Sequence, residues 1–150
     1  MEGFNKFGIT LMEMLVSIII LCSIMGISLP VLHRARNKAL IVRTKSIIST
    51  IEAALCMYET DFGDYPKSDD ENNSKVLVEK LQGPIDSDRW NGPYLRLKKE
   101  DLDKDGNILD AWKVPIKYKY PQTEKNNVPF LLFSAGPDRK FETEDDIGNW

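Results

Sequence analysis

The chain has 150 residues, of which 42% are hydrophobic and 29% charged, and a formal net charge of −3. Its acids and bases are scattered, with no contiguous basic surface outside one helical stretch, so nucleic-acid binding has little electrostatic support. Two cysteines and one histidine, with no CxxC or Cys/His cluster, exclude a zinc site and a histidine-based triad.

Residues 1–8 hold one acid and one base, Glu2 and Lys6, with neither an extended basic region nor a small-x-small cleavage site after the apolar stretch that follows. That is not an ordinary secretory leader. From Ile9 to Leu32 the chain is apolar except for Glu13, and the nineteen residues from Met14 to Leu32 carry no formal charge. About twenty such residues cross a bilayer, so one span is expected over 9–32. A carboxylate inside a span is disfavoured by roughly 2.5–3.5 kcal/mol, so a partner is expected to neutralise it. The plainer alternative is a single-span anchor whose Glu13 snorkels to the headgroups.

Gly8, Ile9, Thr10, Leu11, Met12, Glu13, Met14, Leu15 and Val16 resemble the class III prepilin signal. The resemblance implies that a prepilin peptidase cuts after Gly8 on the cytoplasmic side, leaving the span in the product. Ile9 then becomes the N-terminus, about one helical turn from Glu13. In this family the acid is thought to pair with the N-terminal amine of a neighbouring subunit, in a filament core where an unpaired charge would be costly. Ile9 departs from the N-methylated phenylalanine usual at that position, which leaves methylation open. The expected organisation is a leader (1–8), a transmembrane helix (9–32) and a periplasmic domain (33–150). Arg34, Arg36, Lys38, Arg43 and Lys45 follow the span and outnumber Lys6, so the positive-inside rule alone would place the body in the cytoplasm. The resemblance implies the opposite: a single pass in the inner membrane with the body outside, because a peptidase site at Gly8 must face the cytoplasm.

Beyond Pro30 the pattern turns amphipathic. Ile41, Ile48, Leu55 and Phe62 recur every seven residues, widened by Ile47, Ile51, Ala54 and Tyr58, with Arg43, Lys45, Glu52 and Glu59 on other faces. Pro30 is expected to bend or loosen this helix rather than end it. Cys22 and Cys56, about 50 Å apart along one helix, cannot pair within a chain. The helix is expected to stop near Gly63, before Tyr65-Pro66. Ala54, Leu55, Met57, Tyr58, Asp61, Gly63, Tyr65 and Pro66 resemble the helix-exit junction of major pseudopilins, the G-type subunits of type II secretion systems.

An acidic loop (67–74) and a short second helix over 75–81 come next, with Val76, Leu77 and Leu81 apolar. Gly92-Pro93-Tyr94-Leu95 resembles the family stretch leading to its sheet. Asp101, Asp103, Asp105 and Gly106 mimic half of an EF-hand loop, but Trp112 stands where the bidentate glutamate belongs, which favours a surface turn over a second calcium site. Leu109-Asp110-Ala111-Trp112 and Val114 to Tyr120 resemble the family's tryptophan segment, with Ala111 and Lys113 in place of its proline and glycine. Ile116, Tyr118 and Tyr120 alternate with lysines as in a half-buried strand, and Phe130 to Ser134 reads as a paired one. Two or three antiparallel strands against the long helix give an α+β fold.

Ser134-Ala135-Gly136-Pro137-Asp138 and Thr143 to Trp150 resemble the C-terminal calcium loop of major pseudopilins. Asp138 and the Asp145-Asp146 pair would repel on one loop without a counter-ion, and Ca2+ accepts an irregular set of carboxylates and carbonyls. The resemblance implies Asp138, Asp145 and Asp146 as side-chain ligands, and the Ala135 and Lys140 carbonyls as proposed backbone ligands. It also implies a non-catalytic subunit that polymerises with its own kind into a short periplasmic filament driving type II protein secretion. Its partners would be minor pseudopilins, the prepilin peptidase, the inner-membrane assembly platform and membrane lipid, without nucleic acid. The alternatives are a type IV pilin or minor pilin, against whose disulfide-closed form the lack of a cysteine after Cys56 speaks, and a DNA-uptake pilus subunit.

Overall fold

The computed structural model describes residues 10–68, 73–125 and 127–150, together with the backbone but not the side chains of 27–30. The leader, the Gly8–Ile9 bond and residues 69–72 of the acidic loop lie outside the described residues.

Helix α1, Leu11–Phe62, contains 52 residues. Thr10 starts it: the Thr10 hydroxyl oxygen accepts from the Glu13 N–H (3.2 Å) and its carbonyl accepts from the Met14 N–H (3.1 Å). With Glu13 three residues on, this is capping-box sequence, and it satisfies a donor that the first helical turn would otherwise leave unpaired. The helix continues through position 30, as the resumed periodicity predicts. It stops where expected. Gly63 adopts φ 81° and donates to the Glu59 carbonyl at 2.7 Å, a left-handed cap that glycine accepts without penalty.

The chain divides into two compact units, 1–38 and 39–150. In the first, the apolar side chains face outward: Ile18 is 57%, Leu21 61% and Met25 65% exposed. In the second, the stripe on α1 is the floor of a core. Ile48, Ile51, Ala54 and Leu55 are buried, and Leu55 is fully enclosed. Ile41 and Phe62, at the two ends of the seven-residue repeat, are half-buried, Ile41 against the core and Phe62 stacked on Tyr58.

Helix α2, Lys75–Leu81, forms where its spacing predicts and buries Leu77 and Leu81. A 3-10 turn follows at Lys99–Asp101. The sheet consists of β1 (Lys117–Lys119), β2 (Leu131–Ser134) and β3 (Ile147–Gly148), antiparallel in the order β1-β2-β3. Tyr118 faces Leu132 and Phe133 faces Gly148 across the ladder. Ile116, Tyr118 and Leu132 join the helix residues in one core cluster, and the Tyr118 hydroxyl donates to the Pro66 carbonyl (2.7 Å), fixing the chain just past the helix exit. The third strand comes from a segment that sequence reasoning assigned wholly to the loop. It is held by Asn149, whose N–H bonds the Leu132 carbonyl (3.2 Å) and whose side chain bonds the Leu132 N–H (3.0 Å) and the Phe130 carbonyl (3.1 Å).

Candidate functional sites

Glu13 lies in the first turn of α1, exposed among exposed apolar neighbours. The Ser17 hydroxyl donates to the Glu13 backbone carbonyl at 2.8 Å, and the carboxylate joins no ion pair among the described residues. The capping role uses only the backbone of Glu13, so the carboxylate has no charge partner among the described residues.

The C-terminal loop, 135–146, is wound tightly. Gly136, Arg139 and Glu142 adopt φ of 67°, 60° and 67°. For the two non-glycines that left-handed conformation carries a cost of about 1–2 kcal/mol each, so surrounding contacts must hold it. Those contacts are visible. A side chain at Gly136 would place its Cβ 2.0 Å from the Asp145 carbonyl oxygen, so the two limbs of the loop close directly on each other. Asp138 Oδ1 accepts from the Lys140 N–H (2.9 Å), the Thr143 hydroxyl donates to the Lys140 carbonyl (3.2 Å), and Asp146 Oδ2 accepts from the Glu142 N–H (2.9 Å). Asp146 Oδ1 is enclosed with no hydrogen-bond partner, the one such side-chain atom among the described residues.

Of the predicted ligands, Asp145 and Asp146 border one cleft of about 330 Å³, with Glu144, Lys45 and Ile41. Asp138 does not line it, and among the described residues no three Asp, Glu, His or Cys side chains are gathered for a metal. The donor set is nevertheless all oxygen, and the orphaned Asp146 Oδ1 is the kind of atom a hard cation would satisfy. The oxygen chemistry of these residues suits a hard cation such as calcium, while Asp138 lies outside this cleft.

A buried polar network anchors the near end of this loop. Asp110 is 3% exposed; its Oδ1 accepts from the Trp112 N–H (2.8 Å) and the Val114 N–H (2.9 Å), and its Oδ2 from the Ser134 hydroxyl (2.5 Å). Ser134 Oγ in turn accepts from the Gly136 N–H at 3.1 Å. On the other side, the buried Thr44 hydroxyl oxygen of α1 accepts from the Ala111 N–H (3.2 Å). Lys113 stands where the resembling family has glycine, yet it keeps a glycine-like φ of 65°, bonded to the Asp110 carbonyl (3.2 Å). In the sequence, Asp110 and Ser134 stand only as letters of two separate motifs. Their function was hidden because the bond joins positions 24 residues apart.

The half EF-hand segment is a turn between the bridged residues Leu102 and Ile108. Burial pushes the Asp103 carboxyl up, but hydrogen bonds from the Asn107 side chain and from the Asn107, Asp105 and Gly106 backbone outweigh it and hold it below the usual range. Asp101 Oδ2 is turned back to the Lys98 N–H (3.1 Å). These carboxylates close a turn.

A long helix, apolar and exposed in its first part and carrying a small antiparallel sheet on its second, is the architecture of a pilin-type subunit. Residues 31–150 match the family described as type II secretion system (T2SS), protein G. The type II secretion system core protein G of Pseudomonas aeruginosa is 31% identical over 157 residues, covering 100% of this chain and 99% of that protein. The core protein G of Pectobacterium carotovorum is 33% identical, covering 99% of this chain and 87% of its own length. The crystal structure of the major pseudopilin from the type 2 secretion system of enterohaemorrhagic Escherichia coli is 26% identical, with a TM-score of 0.50 over 78% of this chain and 87% of that one. The chain belongs to the type II secretion protein G family, the major pseudopilins.

Proposed function

We propose that this pseudopilin is stored in the inner membrane as a single-pass subunit with its body in the periplasm, is cut between Gly8 and Ile9, and polymerises into a short periplasmic filament. The filament works with minor pseudopilins and an inner-membrane assembly platform to move folded proteins outward. The subunit is structural, not catalytic. The observation that carries the reading is Glu13: a carboxylate on an exposed apolar helix, one turn from the proposed new N-terminus, with no counter-ion among the described residues of its own chain. Packing apolar helices around it requires a positive partner, and the freed amine of the next subunit provides one. Ca2+ held by Asp138, Asp145 and Asp146, with the Ala135 and Lys140 carbonyls, would neutralise the outer loop and rigidify it for docking; the unsatisfied Asp146 Oδ1 supports this.

The test is Glu13→Gln in the full chain. Filaments sheared from cells should disappear while the protein stays membrane-bound and its body melts at the wild-type temperature. Intact filaments with glutamine, or a mature polypeptide whose mass retains residues 1–8, overturn the reading.

A further inference from the structure

Arg34, Arg36 and Lys38 are exposed on α1, and none joins an ion pair among the described residues. No acid occurs between Glu13 and Glu52. The next two bases are placed differently: Arg43 borders a cleft with Asp101, and Lys45 borders one with Glu144, Asp145 and Asp146. Arg34, Arg36 and Lys38 border neither of these clefts.

Their depth is set by helix geometry. The uncharged run from Met14 to Leu32 spans about 28 Å at 1.5 Å per residue, close to the roughly 30 Å hydrocarbon core. Arg34, Arg36 and Lys38 then fall about 3, 6 and 9 Å beyond its edge, within side-chain reach of lipid phosphates. At about 100° per residue, Arg34 and Lys38 share one face and Arg36 lies on the opposite one. A single partner helix could cover one of these faces, whereas lipid surrounds the helix on all sides.

We infer that Arg34, Arg36 and Lys38 form a collar that binds anionic lipid headgroups at the end of the span nearer the body. Each guanidinium can take a phosphate through two parallel N–H bonds, and Lys38 adds a point charge. The collar rests on the membrane-spanning reading of residues 9–32, not on the filament or on orientation. It also accounts for bases that the positive-inside rule would have kept on the other side. In the filament reading, leaving the bilayer means giving up these contacts, so anionic lipid favours the stored subunit.

The experiment is native mass spectrometry of the full chain released from micelles holding equal amounts of phosphatidylglycerol and phosphatidylcholine. The wild type should retain phosphatidylglycerol over phosphatidylcholine by about tenfold or more, and less at high salt. Arg34→Gln/Arg36→Gln/Lys38→Gln should abolish the preference, Arg43→Gln/Lys45→Gln should keep it, and inorganic phosphate at matched concentration should not displace the lipid. A triple variant with unchanged preference, equal loss in the double variant, or displacement by phosphate overturns the proposal. So does a triple variant that keeps the lipid but loses cross-linking between copies, which assigns the bases to a second subunit. A chain that fails to enter micelles at all refutes the span instead.

Discussion

Asp110 and Ser134 carry more structural responsibility than their place in a motif suggests. A buried carboxylate persists only when its oxygens are satisfied, and here three donors reach it from the tryptophan turn and from the start of the C-terminal loop. Ser134→Ala removes one of those donors and strands the Gly136 N–H, which should cost about 1–3 kcal/mol in denaturant unfolding with an unchanged slope. At the far end of the same loop, the orphaned Asp146 Oδ1 marks the proposed cation position. A chelator should lower the wild-type melting temperature, and Asp138→Ala should shrink that difference; a wild-type melting temperature insensitive to chelator would refute calcium binding.

Among the elements, α1 is defined by its ends. Thr10 begins it and Gly63 stops it, and two acids in the exit region are tied to the body: the Tyr94 hydroxyl donates to Asp61 Oδ2 (2.6 Å) and the Tyr120 hydroxyl to Asp64. The Tyr120 hydroxyl, and then the Tyr65 N–H, hold the Asp64 carboxyl below its ordinary value of 3.8. A carboxyl lowered on folding stabilises the native chain above its unfolded value, and that stabilisation drains away as pH falls through the folded one. Melting temperature should therefore decline below about pH 4, and Asp64→Asn or Asp103→Asn should each flatten part of that acid limb. At the other extreme, burial pushes the Tyr118 hydroxyl far up, so the enclosed phenol stays neutral and keeps donating to Pro66. The amphipathic stripe was legible because a helix repeats every 3.6 residues whatever it packs on. Thr44 was not, because its burial depends on the Ala111 turn arriving from 67 residues away.

The whole molecule separates its two tasks. Residues 11–26 of the span expose their apolar side chains, whereas 39–150 has its own core. Leu55→Ala should destabilise the body by about 2–5 kcal/mol, read as a lower melting temperature in detergent. Ile18→Ala should leave that temperature alone, because Ile18 is 57% exposed.

The start of the long helix at Thr10 came from the structure, whereas the sequence by itself determined the membrane-length helix, its stop at Gly63, the second helix and the family. Each of these follows from local patterning: an uncharged run, a seven-residue apolar repeat, a glycine where φ must be positive. Only the tertiary structure decided that 147–148 pairs as a third strand, that Asp110 joins Ser134, and that Asp145 and Asp146 share a cleft which Asp138 does not line. These depend on chain segments distant in sequence meeting around one core, and no local period encodes which of them will touch.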